Sequence, residues 1–380
     1  MGCRGMTTLR GVTWDHPRGY DCVVAASAEY QRVADVDIRW EKHPLSAFEE
    51  APIQDLATRY DLIVMDHPHI PEAARSGALA ALDGHGHDHA LMQLAAESVG
   101  RSHETYAYDG HQYGLATDAA AQVSVHRPDL LTDPPRDWGG VLALAREGRV
   151  AWPSNPVHAL SSLITLASNQ GSAPRDEPGV FLEEEAARVA LDMMHRLAEL
   201  VPEENHRQNP IEVAEMLSAG DRYAYAPLTY GYVNYSQSGF RRHRLKHIDI
   251  PSGPAGVAGS QLGGAGIAVS ATSSDLDAAR AFAIWLASPE VQTGVYYDNG
   301  GQPGYRPSWD DDRLNEHSLD FFRGTRATLE GASVRPRFPR WPAFQNRASV
   351  WTDQALRGEI TDDELLRRCR DAAEELLTEE

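Results

Sequence analysis

Two short corners concentrate the side chains that can do chemistry. Trp14-Asp15-His16-Pro17-Arg18 follows the short stretch Leu9 to Val12, and Asp66-His67-Pro68-His69 follows the apolar run Leu62 to Met65. An imidazole titrates near neutral pH and a neighbouring carboxylate orients it, so His16 or His67 with Asp15 or Asp66 is a candidate acid/base pair. If the corners meet, His16, His67 and His69 with the two carboxylates are also a candidate metal set. Recognition is the third use. Carboxylates accept hydrogen bonds from hydroxyls, the Trp14 ring offers a flat apolar face, and Arg18 suits a carboxylate or phosphate through forked hydrogen bonds. Structural roles stand beside these: Asp15 and Asp66 as helix caps, His16 bonded to backbone, Trp14 as core.

The surrounding elements decide which use is open. Leu9 to Trp14 reads as a first strand, and Tyr20 to Val33 as a helix with Val23, Ala26, Tyr30 and Val33 at helical spacing. Val36 to Trp40 reads as a second strand, Ala47 to Arg59 as a loose helix, and Tyr60 to Met65 as a third strand. This β-α-β-α-β order predicts a parallel sheet with right-handed crossovers. Both corners then fall at the carboxyl ends of strands, where open α/β sheets bind ligands.

Further along, Val150 to Pro153 predicts a short strand leading to Ser154-Asn155-Pro156 and an apolar helix from His158 to Asn169. Pro134-Pro135 and Gly139-Gly140 predict a loop around Trp138. Asn209-Pro210-Ile211-Glu212 has the order of a capped helix start, with Gly220 as its C-terminal stop. Tyr223 to Pro227 predicts a strand ahead of Thr229, Tyr230 and Tyr232, and Thr361-Asp362-Asp363-Glu364 predicts the cap of a last helix.

Composition removes several classes of function. At 380 residues the expectation is two domains. A net charge of −20 argues against nucleic acid as a partner, and Arg241-Arg242-His243-Arg244 is too short a basic cluster to reverse that. Cys3, Cys22 and Cys369 are odd in number and lack metal spacing, so reduced thiols are expected. No apolar run is long enough for a membrane span. Met1 to Met6 lacks an apolar leader, which places the chain as written in the cytoplasm; with a leader the place is periplasmic or extracellular. Gly84-His85-Gly86-His87-Asp88-His89 is metal-like in composition, but no second ligand cluster accompanies it. It reads as an exposed loop, and neither a metal nor a cofactor is expected.

The order of parts resembles an extracellular solute-binding protein of the sugar-transporter class. The residues that carry the resemblance are Tyr113-Gly114-Leu115-Ala116-Thr117-Asp118, then Val125-His126-Arg127-Pro128-Asp129-Leu130-Leu131, then Met216-Leu217-Ser218-Ala219-Gly220-Asp221. Gly263-Gly264-Ala265-Gly266-Ile267-Ala268-Val269-Ser270, the helical stretch ending in Trp285-Leu286-Ala287-Ser288-Pro289-Glu290, and Gly300-Gly301-Gln302-Pro303 complete it. The resemblance implies an α/β, two-lobe, type II periplasmic-binding fold, each lobe a mostly parallel sheet flanked by helices, with a ligand cleft between the lobes. Residues 1–117 with 267–320 would form one lobe, and 118–266 with 321–380 the other. It implies a small polar ligand, a sugar or a carboxylate-bearing solute, and a transporter permease as partner.

On that fold the expected ligand contacts are Trp14, Asp15, His16, Arg18, Asp66 and His67 from the first lobe. Trp152, Asn155, Tyr230, Gln261 and Gly263 join them from the second, with Gln302 and Arg306 at the rim. The alternative is a cytoplasmic enzyme on the same fold that uses His16, His67, Asp15 and Asp66. No nucleophile motif or phosphate loop accompanies those residues.

Overall fold

The computed structural model describes residues 6–45 and 52–378. Cys3 and the first part of the helix expected over 47–59 lie outside the described residues. The chain divides into two units, 1–119 with 264–314 and 120–263 with 315–380. Its strands are β1 (Thr7–Trp14), β2 (Val36–His43), β3 (Leu62–Asp66), β4 (Ala107–Tyr108), β5 (His111–Gln112) and β6 (Gly114–Ala116), followed by β7 (Ala120–His126), β8 (Tyr225–Tyr230), β9 (Lys246–Ile248), β10 (Leu262–Gly263) and β11 (Ala265–Val269).

In the first unit the sheet order is β2-β1-β3-β11-β6. The β-α-β-α-β reading holds: β1 runs parallel to β2 from Thr7↔Val36 to Trp14↔His43, and parallel to β3 through Gly11↔Leu62. The helix Asp21–Ala34 makes the first crossover and ends at Asp35 in the left-handed region. Gly11 is required where it stands, because a Cβ there would lie 2.5 Å from the Trp40 ring on β2. The apolar run of β3 is explained by two covered faces. Leu62 and Val64 pack on the side of the helices Asp21–Ala34 and Leu276–Leu286, while Ile63 and Met65 pack on the side of Ile53–Ala57 and Ile70–Arg75.

The expected mostly parallel sheets are mixed in the first unit and antiparallel in the second. β11 pairs antiparallel with both β3 and β6. It does not follow a helix from β3 but enters after the long excursion of the chain through the second unit, so the crossover rule that orders β1 to β3 does not set its direction. In the second unit β7 pairs antiparallel with β8, β9 and β10, with an irregularity between Val123 and Val125.

Other local expectations divide. Asn209 caps the helix Pro210–Ala219, with Glu212 closing the box in return, but Gly220 ends it in an extended rather than a left-handed conformation. Thr361 caps Asp362–Leu376 through the Glu364 amide. The loop expected around Trp138 is instead a helix, Trp138–Arg146, with Asp137 accepting from the Gly140 amide. Two glycines in its first turn cost about 1 kcal/mol each. Burying Val141, Leu142, Leu144 and Ala145 in the core of the second unit outweighs that. Val150 to Pro153 is not a strand; Val150 makes a single parallel bridge to Tyr225.

Candidate functional site

In the first unit the two corners share one end of the sheet. Continuing the β1–β3 register places Asp15 abreast of Asp66. Trp14 is buried, its ring lying so close over Gly19 that a Cβ there would come within 2.3 Å. Asp15 is exposed and pairs with Lys42 at 2.7 Å. His16 is buried, and its Nδ1 accepts from the Arg18 amide at 3.1 Å. Asp66 caps the short turn His67–His69 through the His67 amide, and the buried His67 ring stands edge-on to Tyr106. Asp66 thus does the capping anticipated as one of its readings, whereas Asp15 caps no helix: Asp21–Ala34 has Tyr20 at its N-cap and no side-chain bond there.

Arg18 lies away from solvent. Its guanidinium forks onto Asp118, with Nε 2.6 Å and Nη2 2.5 Å from the two carboxylate oxygens, and the two side chains are 4% and 1% exposed. Asp118 follows β6 and its amide donates to the Ala265 carbonyl, opposite Asp66 in the β3–β11 register. Burial raises the Asp118 carboxyl above its ordinary value although Arg18 pulls against it, and the two-pronged contact is the geometry of an ionised pair. Gln302 is buried too, donating to the Ala119 carbonyl and accepting from the Ala119 amide. The exposed Arg306 sets its guanidinium on the Ser98 carbonyl.

The second unit brings together Tyr230, Gln261 and Gly263, with Asn155 at the start of the helix that carries His158. Asn155 caps the helix Pro156–Asn169 through the His158 amide. Tyr230 ends β8, half-buried, and its hydroxyl accepts from Gln261 Nε2 at 2.7 Å. That same amide nitrogen reaches the Ser161 hydroxyl at 3.1 Å. The missing side chain of Gly263 makes room for Tyr230, whose ring edge lies 2.6 Å from where its Cβ would be. Trp152 is not part of this group. It is fully buried in the core, its indole donating to Ser162 and its amide to Asn205.

His158, Ser161 and Thr165 are polar residues within a helix whose sequence reads as apolar, and the Thr165 hydroxyl donates to Gln122. Their signal is positional: residues at i, i+3 and i+7 form one stripe, and every residue from His158 to Asn169 is buried. Polar groups on such a stripe must face polar partners. Burial, reinforced by Arg335, pushes the His158 imidazole down to about 3.

The histidine-rich tract leads into the helix Asp88–Ala96, with Asp88 accepting from the Gly84 amide. Among the described residues no group of three His, Cys, Asp or Glu side chains is placed to hold a metal ion. No helix among them is long and apolar enough to cross a membrane. The basic cluster is structural: Arg241 pairs with Glu215, and Arg244 donates to the Ser236 carbonyl.

Residues 25–312 match the bacterial extracellular solute-binding protein family, and the chain belongs to that family. Its fold is shared with solved structures over almost the whole length. T. maritima MalE3 with bound maltose is 16% identical with a TM-score of 0.85, covering 97% of this chain and 100% of its own. The GacH receptor of Streptomyces glaucescens is 17% identical with a TM-score of 0.80, covering 98% of each chain. A transporter solute-binding protein from Agrobacterium radiobacter, in complex with ribitol, is 20% identical with a TM-score of 0.81, covering 97% of this chain and 98% of its own. The protein is therefore a solute-binding protein with the type II periplasmic-binding fold.

Proposed function

We propose that this solute-binding protein captures an uncharged, hydroxyl-rich small molecule, a sugar or polyol, and passes it to a membrane permease outside the cytoplasm. The observation that carries the reading is the Tyr230 corner. A half-buried ring, held by Gln261 and set over the bare backbone of Gly263, offers a flat face for C–H surface beside an amide and a hydroxyl that can bond to alcohols. A carboxylate-bearing solute fits less well. Arg18 is engaged by Asp118 and Arg306 by Ser98, and the net charge of −20 opposes anions.

The neighbours bound to maltose and ribitol lie on the same side of the question. Extracytoplasmic use is compatible with Cys22 and Cys369, which are buried, free and in different units. A thermal-shift and calorimetric panel of sugars, polyols and hydroxy acids tests the reading. A neutral solute should stabilise the protein and be recovered unchanged, and Tyr230→Ala should weaken its binding. Stabilisation by anionic solutes alone, or recovery of a chemically altered solute, would overturn it.

A further inference from the structure

The corner of the second unit holds more hydrogen-bonding capacity than its own side chains use. The His158 imidazole is 4% exposed, and neither Nδ1 nor Nε2 has a hydrogen-bond partner among the described residues. Gln261 Oε1 is buried in the same condition, although Gln261 Nε2 is bonded to Ser161 and Tyr230. Tyr230 joins the two: its ring stands edge-on to the imidazole with centroids 5.9 Å apart, and its hydroxyl takes the Gln261 amide. Native proteins rarely leave buried polar atoms unpaired, and those they do leave call for a water, an ion or a ligand.

Resting on the solute-binding reading, we infer that His158 and Gln261 are the specificity-determining pair of the second unit, reading two neighbouring hydroxyl groups of an uncharged solute. A neutral imidazole presents one donor and one acceptor, and the Gln261 oxygen adds a second acceptor. A hydroxyl both donates and accepts, so two hydroxyls on adjacent carbons can satisfy one imidazole nitrogen and the Gln261 oxygen, while the other ring nitrogen, which points to the far side of the ring, is left to a water. A carboxylate or phosphate only accepts; it could take the imidazole N–H but would set its own negative charge against the Gln261 oxygen. An ammonium only donates, leaves the N–H unmatched, and brings a cation towards Arg335, the charged group that already disfavours protonation of His158. The helix fixes the geometry, because Asn155 caps the His158 amide and Ser161, one turn on, steadies the Gln261 side chain.

Calorimetry with maltose, tagatose, ribitol and gluconate on the intact protein tests the pair. Wild type should bind at least one of the three neutral probes, and bind it more tightly than gluconate. His158→Phe, which keeps the ring volume and removes both nitrogens, should raise Kd about ten- to a hundred-fold with no fall in Tm. His158→Gln, which restores a donor and an acceptor, should recover much of that loss. Gln261→Met provides a second line should the Phe variant fail to fold, and should weaken the same probe. Unchanged affinity in both His158→Phe and Gln261→Met would overturn the inference and assign the polar atoms to trapped water, while leaving the solute-binding reading intact. Wild type that binds none of the neutral probes but takes gluconate would overturn both.

Discussion

Replacing Asp118 by Asn should destabilise the first unit more than removal of any exposed ion pair. The carboxylate meets Arg18 in two contacts of 2.6 and 2.5 Å, and both side chains are almost wholly out of water. At an effective dielectric of about 20 and a charge separation of about 3 Å, the Coulomb attraction is roughly 5 kcal/mol. Desolvation of the two ions opposes most of it, so the pair itself contributes little net stability. Asn removes the attraction and leaves the guanidinium buried, for which a loss of about 3–5 kcal/mol is expected. Asp15→Asn, which removes the exposed contact with Lys42, should cost about 0–1 kcal/mol. Urea unfolding followed by tryptophan fluorescence gives both numbers from the shift in midpoint.

The double replacement Arg18→Met with Asp118→Leu separates burial of an unpaired charge from loss of packing. It should fall within about 1–2 kcal/mol of wild type, far from additive with the single variant. A loss under about 1 kcal/mol for Asp118→Asn, or a double variant as unstable as the single one, would refute the claim that Arg18 is held as a buried cation by Asp118.

Three further outcomes are expected. His158 and His103 titrate at about 3 and about 4 in the folded protein, lowered chiefly by burial, against 6.5 for an ordinary histidine. Above about 6.5 both folded and unfolded forms are neutral; below it the unfolded chain protonates first, so stability falls with pH by up to about 1.4 kcal/mol per unit for each histidine. Urea titrations across that range should show the slope, and His103→Gln with His158→Gln should flatten it. Asn209→Ala removes the side-chain bond to the Glu212 amide at 3.0 Å and should cost about 1 kcal/mol in chemical denaturation. Gly19→Ala would drive a methyl into the Trp14 ring, with atoms 2.3 to 2.6 Å away; a loss of about 1–3 kcal/mol and an altered near-ultraviolet dichroism spectrum should follow.

The first unit was readable because its segments satisfy two levels at once. β3 is a short apolar run, and the sheet gives it helices on both faces; Asp21–Ala34 has a periodic stripe, and the sheet gives it a partner. Trp138–Arg146 was misread because the local signal and the tertiary one conflict. Gly139 and Gly140 argue for a loop, whereas the Asp137 cap and the burial of Val141, Leu142, Leu144 and Ala145 decide for a helix. Strand direction in the second unit had no local signal at all. β7, β8, β9 and β10 are separated by long excursions, and nothing in their own residues distinguishes a parallel from an antiparallel partner.

Site chemistry was legible as residue type but not as direction. Arg18 and Trp152 have the composition of ligand contacts, yet one turns to Asp118, a hundred residues on, and the other turns into the core towards Ser162. Both choices rest on long-range packing, which spacing along the chain does not encode. His158 shows the converse. It sits in a helix whose apolar content drew attention to burial, and burial is what gives its polarity meaning: an exposed imidazole has water to pair with, whereas an enclosed one needs a defined partner. On the reading proposed for His158, the polar stripe of His158, Ser161 and Thr165 on an enclosed helix is a sequence pattern as informative as the more conspicuous Asp-His-Pro corners, whose carboxylates engage Lys42 and the His67 amide.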